Sequence, residues 1–231
     1  MGKDVIIACD FKGKDETLRF LERFGSFRPY VKIGMELFYA AGPDIVLCLK
    51  ERGHKVFLDL KLHDIPNTVK KAMTVLAGLG ADMLNVHASG TIAMMEAARD
   101  GVLAAGGISP LLIAVTQLTS TSEERMQNEL LISASLDETV IKYAKNTKTA
   151  GLDGVVCSPL ESGLIHSACG NDFLTVTPGI RFSGGAASDQ VRITTPADAK
   201  SRGSDFIVVG RPITEAPDPV LAWEICVSDF V

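Results

Sequence analysis

Lys55-Val56-Phe57-Leu58-Asp59-Leu60-Lys61-Leu62-His63-Asp64-Ile65-Pro66 decides how the rest of the chain is read. Its first half predicts a strand over 55–61, and side chains on a strand alternate between two faces. Val56, Leu58 and Leu60 then share one face, suited to packing under helices, while Asp59 and Lys61 share the other. Seven more short apolar runs, rich in β-branched residues, recur at 4–10, 30–34, 83–88, 111–118, 154–159, 173–180 and 206–212. Between them lie helix-sized segments such as 16–24, 67–78 and 136–150, in which apolar residues return every three or four positions. Strand and helix alternate, which implies parallel strands joined by right-handed crossovers. Eight strands favour closure into a (β/α)8 TIM barrel over an open doubly wound sheet. No G-x-G-x-x-G follows the first strand, as a dinucleotide-binding open sheet requires. The expectation is an α/β chain forming one barrel domain over 1–231, with no linker, low-complexity segment or longer repeat.

Composition agrees with that size and class. The chain has 231 residues, 46% of them hydrophobic, enough to bury a large core. Its formal charge of −5 argues against a general nucleic-acid binder, though not against a local basic pocket. The five cysteines form neither a C-x-x-C pair nor a zinc-spaced cluster, so a reduced compartment without disulfides is expected. No apolar run reaches the roughly 20 residues of a membrane helix. The first residues lack the apolar stretch of a signal peptide, and Ile6 stands where a myristoylation motif wants Ser or Thr. A cytoplasmic protein that does not engage membranes is expected.

Parallel barrels carry their chemistry at the carboxyl ends of the strands. Those ends are polar here: Asp10 with Lys12, Lys32, Asp59 with Lys61, His87, Gln117 with Thr119, Ser158, Arg181 and Gly210 with Arg211. Burying Asp59 and Lys61 inside a barrel is costly unless each has a partner, so the pair is either a structural ion bridge or a site. Lys32 lies between Val31 and Ile33, and Asp64 falls beyond the strand where Pro66 begins a helix. Lys32, Asp59, Lys61 and Asp64 are expected to form a chain of alternating charge. His87 and His63 are read as packing or loop-orienting residues, Cys9 and Cys157 as buried small residues, and Trp223 as a helix-packing anchor.

These segments, together with Ala8-Cys9-Asp10, Val31-Lys32-Ile33-Gly34, Thr116-Gln117-Leu118-Thr119-Ser120, Thr177-Pro178-Gly179-Ile180-Arg181 and Val209-Gly210-Arg211-Pro212-Ile213, resemble the orotidine 5'-monophosphate decarboxylase family over nearly the whole chain. The resemblance implies a lyase that makes uridine 5'-monophosphate and CO2 in pyrimidine biosynthesis, with no metal and no organic cofactor. It implies that Lys32, Asp59, Lys61 and Asp64 are catalytic, with Lys61 the proton donor to C6 of the pyrimidine. Lys32 and Asp64 would orient Lys61 and favour its charged form. It further implies a homodimer in which Asp64 and Thr68 reach the neighbouring active site. Arg181, Gln190, Gly210 and Arg211 would bind the phosphate, Asp10 and Lys12 the ribose, and Thr119 the base or its surroundings. The glycine-rich segment 181–190 is expected to be a closing lid. Two rivals share parts of this pattern. A magnesium-dependent phosphosugar lyase such as 3-keto-L-gulonate 6-phosphate decarboxylase or hexulose phosphate synthase has the same Asp-x-Lys-x-x-Asp element, but Lys32 occupies the place of a metal-binding carboxylate and Glu36 lies two positions beyond Gly34. A non-catalytic barrel that senses a phosphosugar or nucleotide would be favoured by loss of a charged member, and none is missing.

Overall fold

Eight parallel strands close on themselves: β1 (Asp4–Ala8), β2 (Tyr30–Gly34), β3 (Val56–Leu62), β4 (Met83–His87), β5 (Leu111–Val115), β6 (Gly154–Val156), β7 (Leu174–Thr177) and β8 (Phe206–Val209). Each pairs with the next, and β8 returns to β1 with Asp4 opposite Phe206. This computed structural model describes residues 3–182 and 194–231. The predicted TIM barrel is therefore found, with helices between successive strands. No described helix is long and apolar enough to cross a membrane.

Period two sorts every strand. Ile6, Ala8, Tyr30, Phe57, Met83, Ile113, Val176, Phe206 and Val208 fill the barrel interior, while Val5, Ile7, Val31, Ile33, Val56, Leu58, Leu60, Leu84 and Val86 join the helices in the outer core. The interior is tight at Gly154, where a Cβ would stand 2.3 Å from the Leu174 carbonyl oxygen. Trp223, in the helix Pro219–Phe230, packs against Phe24 and Phe27 with ring centroids 6.0 and 5.4 Å away, as an anchor should. None of the five cysteines forms a disulfide, and four are buried.

Several strands stop earlier than their apolar runs. The sheet ends at Val115, Val156, Thr177 and Val209, and the remaining residues of those runs become loops or helix starts that build the mouth. Pro212 has no N–H for a ladder and sits instead in the first turn of the helix Arg211–Thr214.

At the opposite, amino-terminal end, one device recurs. Gly80-Ala81-Asp82, Gly151-Leu152-Asp153 and Gly203-Ser204-Asp205 precede β4, β6 and β8, each opening on a glycine with φ of 78°, 78° and 89°. Glycine takes this left-handed conformation without steric cost after a helix. Each aspartate then bonds the strand before it twice. Its carboxylate accepts from the N–H of Val56, Leu112 or Thr175 at 2.7, 2.7 and 2.8 Å. Its own N–H donates to the carbonyl of the same residue, and its carbonyl accepts from Leu111, Leu174 or Asp4 on the next odd-numbered strand. A three-residue Gly-x-Asp element thus recurs at three corners of the barrel floor.

Candidate active site

Lys32 faces the barrel interior from β2 because Val31 and Ile33, its neighbours, face the helices. Asp59 does the same on β3, two residues above Phe57. The side chains meet at the carboxyl-terminal mouth as an alternating chain. Asp10 Oδ1 lies 3.0 Å from Lys32 Nζ, Lys32 Nζ lies 3.4 Å from Asp59 Oδ2, and Lys61 Nζ donates to Asp59 Oδ1 at 2.7 Å. Asp59 is 8% exposed, so its charge is held by partners rather than by water. Burial alone would push its carboxyl up, but Lys32 and Lys61, with hydrogen bonds from Lys61 and Asn85, outweigh it and hold the group below the usual carboxylate range. Burial likewise opposes the charge on Lys32, yet Asp59 and Asp10 raise its ammonium above the usual range.

The expected chain contained Asp64 beyond Lys61; within one protomer the chain is instead extended at its other end, by Asp10 on Lys32. Asp64 lies past the end of β3, exposed, and its Oδ1 accepts the Ile65 N–H at 2.6 Å just ahead of Pro66. Among the described residues it pairs with neither lysine. Lys61 also departs from a regular strand. Its φ is +53°, left-handed for a residue with a Cβ, and the β3–β4 register shifts between Leu58 and Leu62. Such backbone costs about 1–3 kcal/mol and persists only where surroundings impose it.

Asn85 on β4 supplies contacts that the sequence reading missed. Its Nδ2 donates to Asp59 Oδ1 at 2.6 Å, and its Oδ1 accepts the Lys61 N–H at 2.8 Å. A signal existed: period two on Met83–His87 places a buried amide on the inward face of an apolar strand. His87, next on that face, is half-buried with its ring 5.8 Å from His63. Burial, then His63 and Lys61, lower its pKa against the opposing pull of Asp59, so it is neutral near pH 7.

A cavity of about 310 Å³ opens over the array, lined by Lys32, Asp59, Lys61, Gln117, Thr119 and Pro178 among others. A larger open cavity of about 800 Å³ lies at the floor, but Lys50 and Lys55 there are engaged by Asp82 and Asp4. The remaining expected site residues are more scattered. Thr68 is exposed on the helix Pro66–Ala77. Lys12 is exposed, and its N–H donates to Glu16 Oε2 at 3.3 Å. Arg181 follows Ile180, which bridges to Thr194, and its guanidinium donates to the Ile180 carbonyl at 2.8 Å. Gly210 follows β8, beside Ala8 of β1, and Arg211 begins the next helix. Gln190 and most of the expected lid lie outside the described residues. Among the described residues no cluster of His, Cys, Asp and Glu has the makings of a metal site. Cys9 is fully buried, with its thiol pushed up to about 12 by that burial, and Cys157 is buried too.

A buried aspartate between two half-buried lysines thus lies at the carboxyl-terminal mouth of a closed parallel barrel, the end where (β/α)8 enzymes carry their sites. The chain belongs to the orotidine 5'-phosphate decarboxylase / HUMPS family, whose model matches residues 3–225. It is 59% identical over 226 residues to the orotidine 5'-phosphate decarboxylase of Streptococcus mutans, covering 97% of this chain and 96% of that one. The Bacillus cytotoxicus enzyme of the same name is 54% identical over 227 residues, 97% of this chain and 95% of that one. Among solved structures, orotidine 5'-phosphate decarboxylase from Lactobacillus acidophilus superposes with a TM-score of 0.89 at 44% identity, covering 99% of both chains.

Proposed function

We infer that this chain is a carboxy-lyase that converts orotidine 5'-monophosphate to uridine 5'-monophosphate and CO2 in pyrimidine biosynthesis, without a metal or organic cofactor. The supporting observation is the Asp10–Lys32–Asp59–Lys61 chain at the mouth of a barrel of this family. The bond from C6 to the carboxylate breaks, its electron pair stays on C6, and Lys61 delivers the proton that forms the new C–H bond. The Lys61 ammonium faces the negative charge as it develops, which stabilises the transition state more than the ground state. Asp59 sits beside the departing carboxylate, and Lys32 orients Asp59 from its other oxygen.

Arg181, Gln190, Gly210 and Arg211 bind the phosphate, Asp10 and Lys12 the ribose hydroxyls, and Thr119 the region of the base. The active unit is a homodimer, with the exposed Asp64 and Thr68 entering the neighbouring site, and residues 1–231 act as one domain. The protein works in the cytoplasm, on a small molecule, and binds neither nucleic acid nor membrane. A magnesium-bound enediolate is disfavoured at this site because the Lys32 ammonium holds the end of β2, where it repels a divalent cation.

The test is the loss of orotidine 5'-monophosphate absorbance in chelator-treated buffer, for the native chain and Lys61→Ala. Rapid native turnover, abolished by the substitution, is expected; an inert native chain overturns the assignment. Mixing inactive Lys61→Ala with inactive Asp64→Asn is expected to restore turnover, because one of the two hybrid sites then carries neither change. No restoration argues against shared sites.

A further inference from the structure

Asn85 is buried to 2% exposure in the middle of β4, where an unbonded amide is expensive. It is fully engaged on both sides by the catalytic array. Its oxygen takes the backbone N–H of Lys61 at 2.8 Å, and its nitrogen gives to the carboxylate of Asp59 at 2.6 Å. The first contact lies where β3 leaves its ladder, because the register of β3 against β4 shifts between Leu58 and Leu62 and Lys61 stands at φ +53°. The Asn85 side chain therefore replaces a backbone ladder partner for Lys61. The second contact falls on Asp59 Oδ1, the same oxygen that receives Lys61 Nζ at 2.7 Å.

We propose that Asn85 is a positioning residue for decarboxylation: one side-chain amide clamps the Lys61 backbone in its left-handed turn and fixes the Asp59 oxygen to which the Lys61 ammonium points. This rests on the decarboxylase assignment above and names a residue outside the charged array. An alanine or leucine at this position supplies neither bond. The freed Lys61 backbone then relaxes toward the regular strand, and its ammonium leaves the line on which it meets the reacting carbon. Misplacement by about 1 Å costs on the order of 100-fold in rate. Asn85 acts through Lys61 and Asp59, so the loss appears in kcat while the remote phosphate and ribose contacts preserve KM.

The experiment uses Asn85→Leu, which keeps the branched skeleton but can form no hydrogen bonds, and Asn85→Asp, which keeps the acceptor for the Lys61 N–H. Both are assayed for turnover of orotidine 5'-monophosphate beside the native chain, and amide hydrogen exchange at Lys61 is read by NMR. In Asn85→Leu, kcat falls by about 100-fold with KM changed less than about threefold, and Lys61 exchange accelerates by at least about tenfold. Asn85→Asp retains the Lys61 protection. A folded Asn85→Leu that keeps native kcat, or Lys61 exchange that is unchanged by it, overturns the proposal. If Asn85→Leu does not fold, loss of Lys61 protection in Asn85→Asp overturns it instead. An inert native chain defeats the decarboxylase assignment alone, since the exchange measurement still decides whether Asn85 holds Lys61.

Discussion

Replacing Asp59 with asparagine keeps the shape of the side chain and removes the buried carboxylate between two ammonium groups. At an effective dielectric constant near 20, its attractions to Lys61 at 2.7 Å and Lys32 at 3.4 Å amount to about 6 and about 5 kcal/mol. Desolvation of the charges offsets much of this, and breaking such a buried pair by removing one partner leaves a net loss of about 3–5 kcal/mol. For a chain of this length, each kcal/mol moves Tm by about 2–4 °C, so Asp59→Asn should melt about 6–20 °C below the native protein at pH 7. The pH dependence adds a second handle. Asp59 has a lowered pKa, so its contribution is present above the range where an unfolded aspartate ionises and is lost as pH falls through the folded value. Lys32 has a raised pKa, so its contribution is present below about 10.4 and is lost as pH rises through the folded value. Without Asp59, burial dominates at Lys32 and its ammonium pKa drops, which makes the variant gain stability with rising pH. Thermal unfolding followed by circular dichroism should show the gap between native and variant narrowing from pH 7 to pH 10. A Tm loss of under about 3 °C at pH 7, or a gap that stays constant, refutes this account.

Asp153→Ala removes the acceptor for the buried Leu112 N–H and should cost about 1–3 kcal/mol in urea unfolding, while kcat per folded molecule stays native. Gly154→Ala drives a Cβ to 2.3 Å from the Leu174 carbonyl oxygen and should lose about 1–3 kcal/mol or more, or fail to yield soluble protein; an unchanged melting curve refutes the packing described at β6. His54 is buried with Nδ1 3.0 Å from the Pro29 carbonyl oxygen, and burial lowers its pKa. Its contribution is therefore present above about pH 6.5 and is lost as pH falls toward the folded value, so the urea midpoint should drop less between pH 7 and pH 5 in His54→Asn than in the native chain.

The barrel was legible because its two periods are written plainly: β-branched runs with alternating faces, and intervening segments with helical spacing. The same alternation places Lys32 and Asp59 inside the barrel. Lys61 meets Asp59 as that alternation implies, but its left-handed backbone leaves no mark in a pattern of apolar and polar residues. Asp10 was assigned to the ribose, yet it closes the charge chain on Lys32. The register Ala8 opposite Lys32 explains the contact, and register between strands distant in sequence is not visible in either strand alone. The runs at 111–118 and 173–180 overshoot the sheet because Thr116, Leu118 and Ile180 carry a strand-like composition on into the loops of the mouth. Asn85 was visible as a polar intrusion in an apolar strand, but only the position of its partners gives it a meaning.

The three Gly-x-Asp corners at the floor also bear on how the barrel comes together. Each carboxylate ties an even-numbered strand to the odd one before it, across separations of 26, 41 and 30 residues. β3 with β4, β5 with β6 and β7 with β8 are therefore latched locally, each around its own helical connection. Among the strand pairings, only that of β1 with β8 joins the two ends of the chain. Local contacts form at a small loop-closure cost and favour fast folding, whereas the ring closure is the one strand pairing of long sequence separation. Emerging from the ribosome, the chain can complete these latched pairs in the order in which they are made, leaving the final β1–β8 seam as the step that turns a row of units into an enclosed barrel.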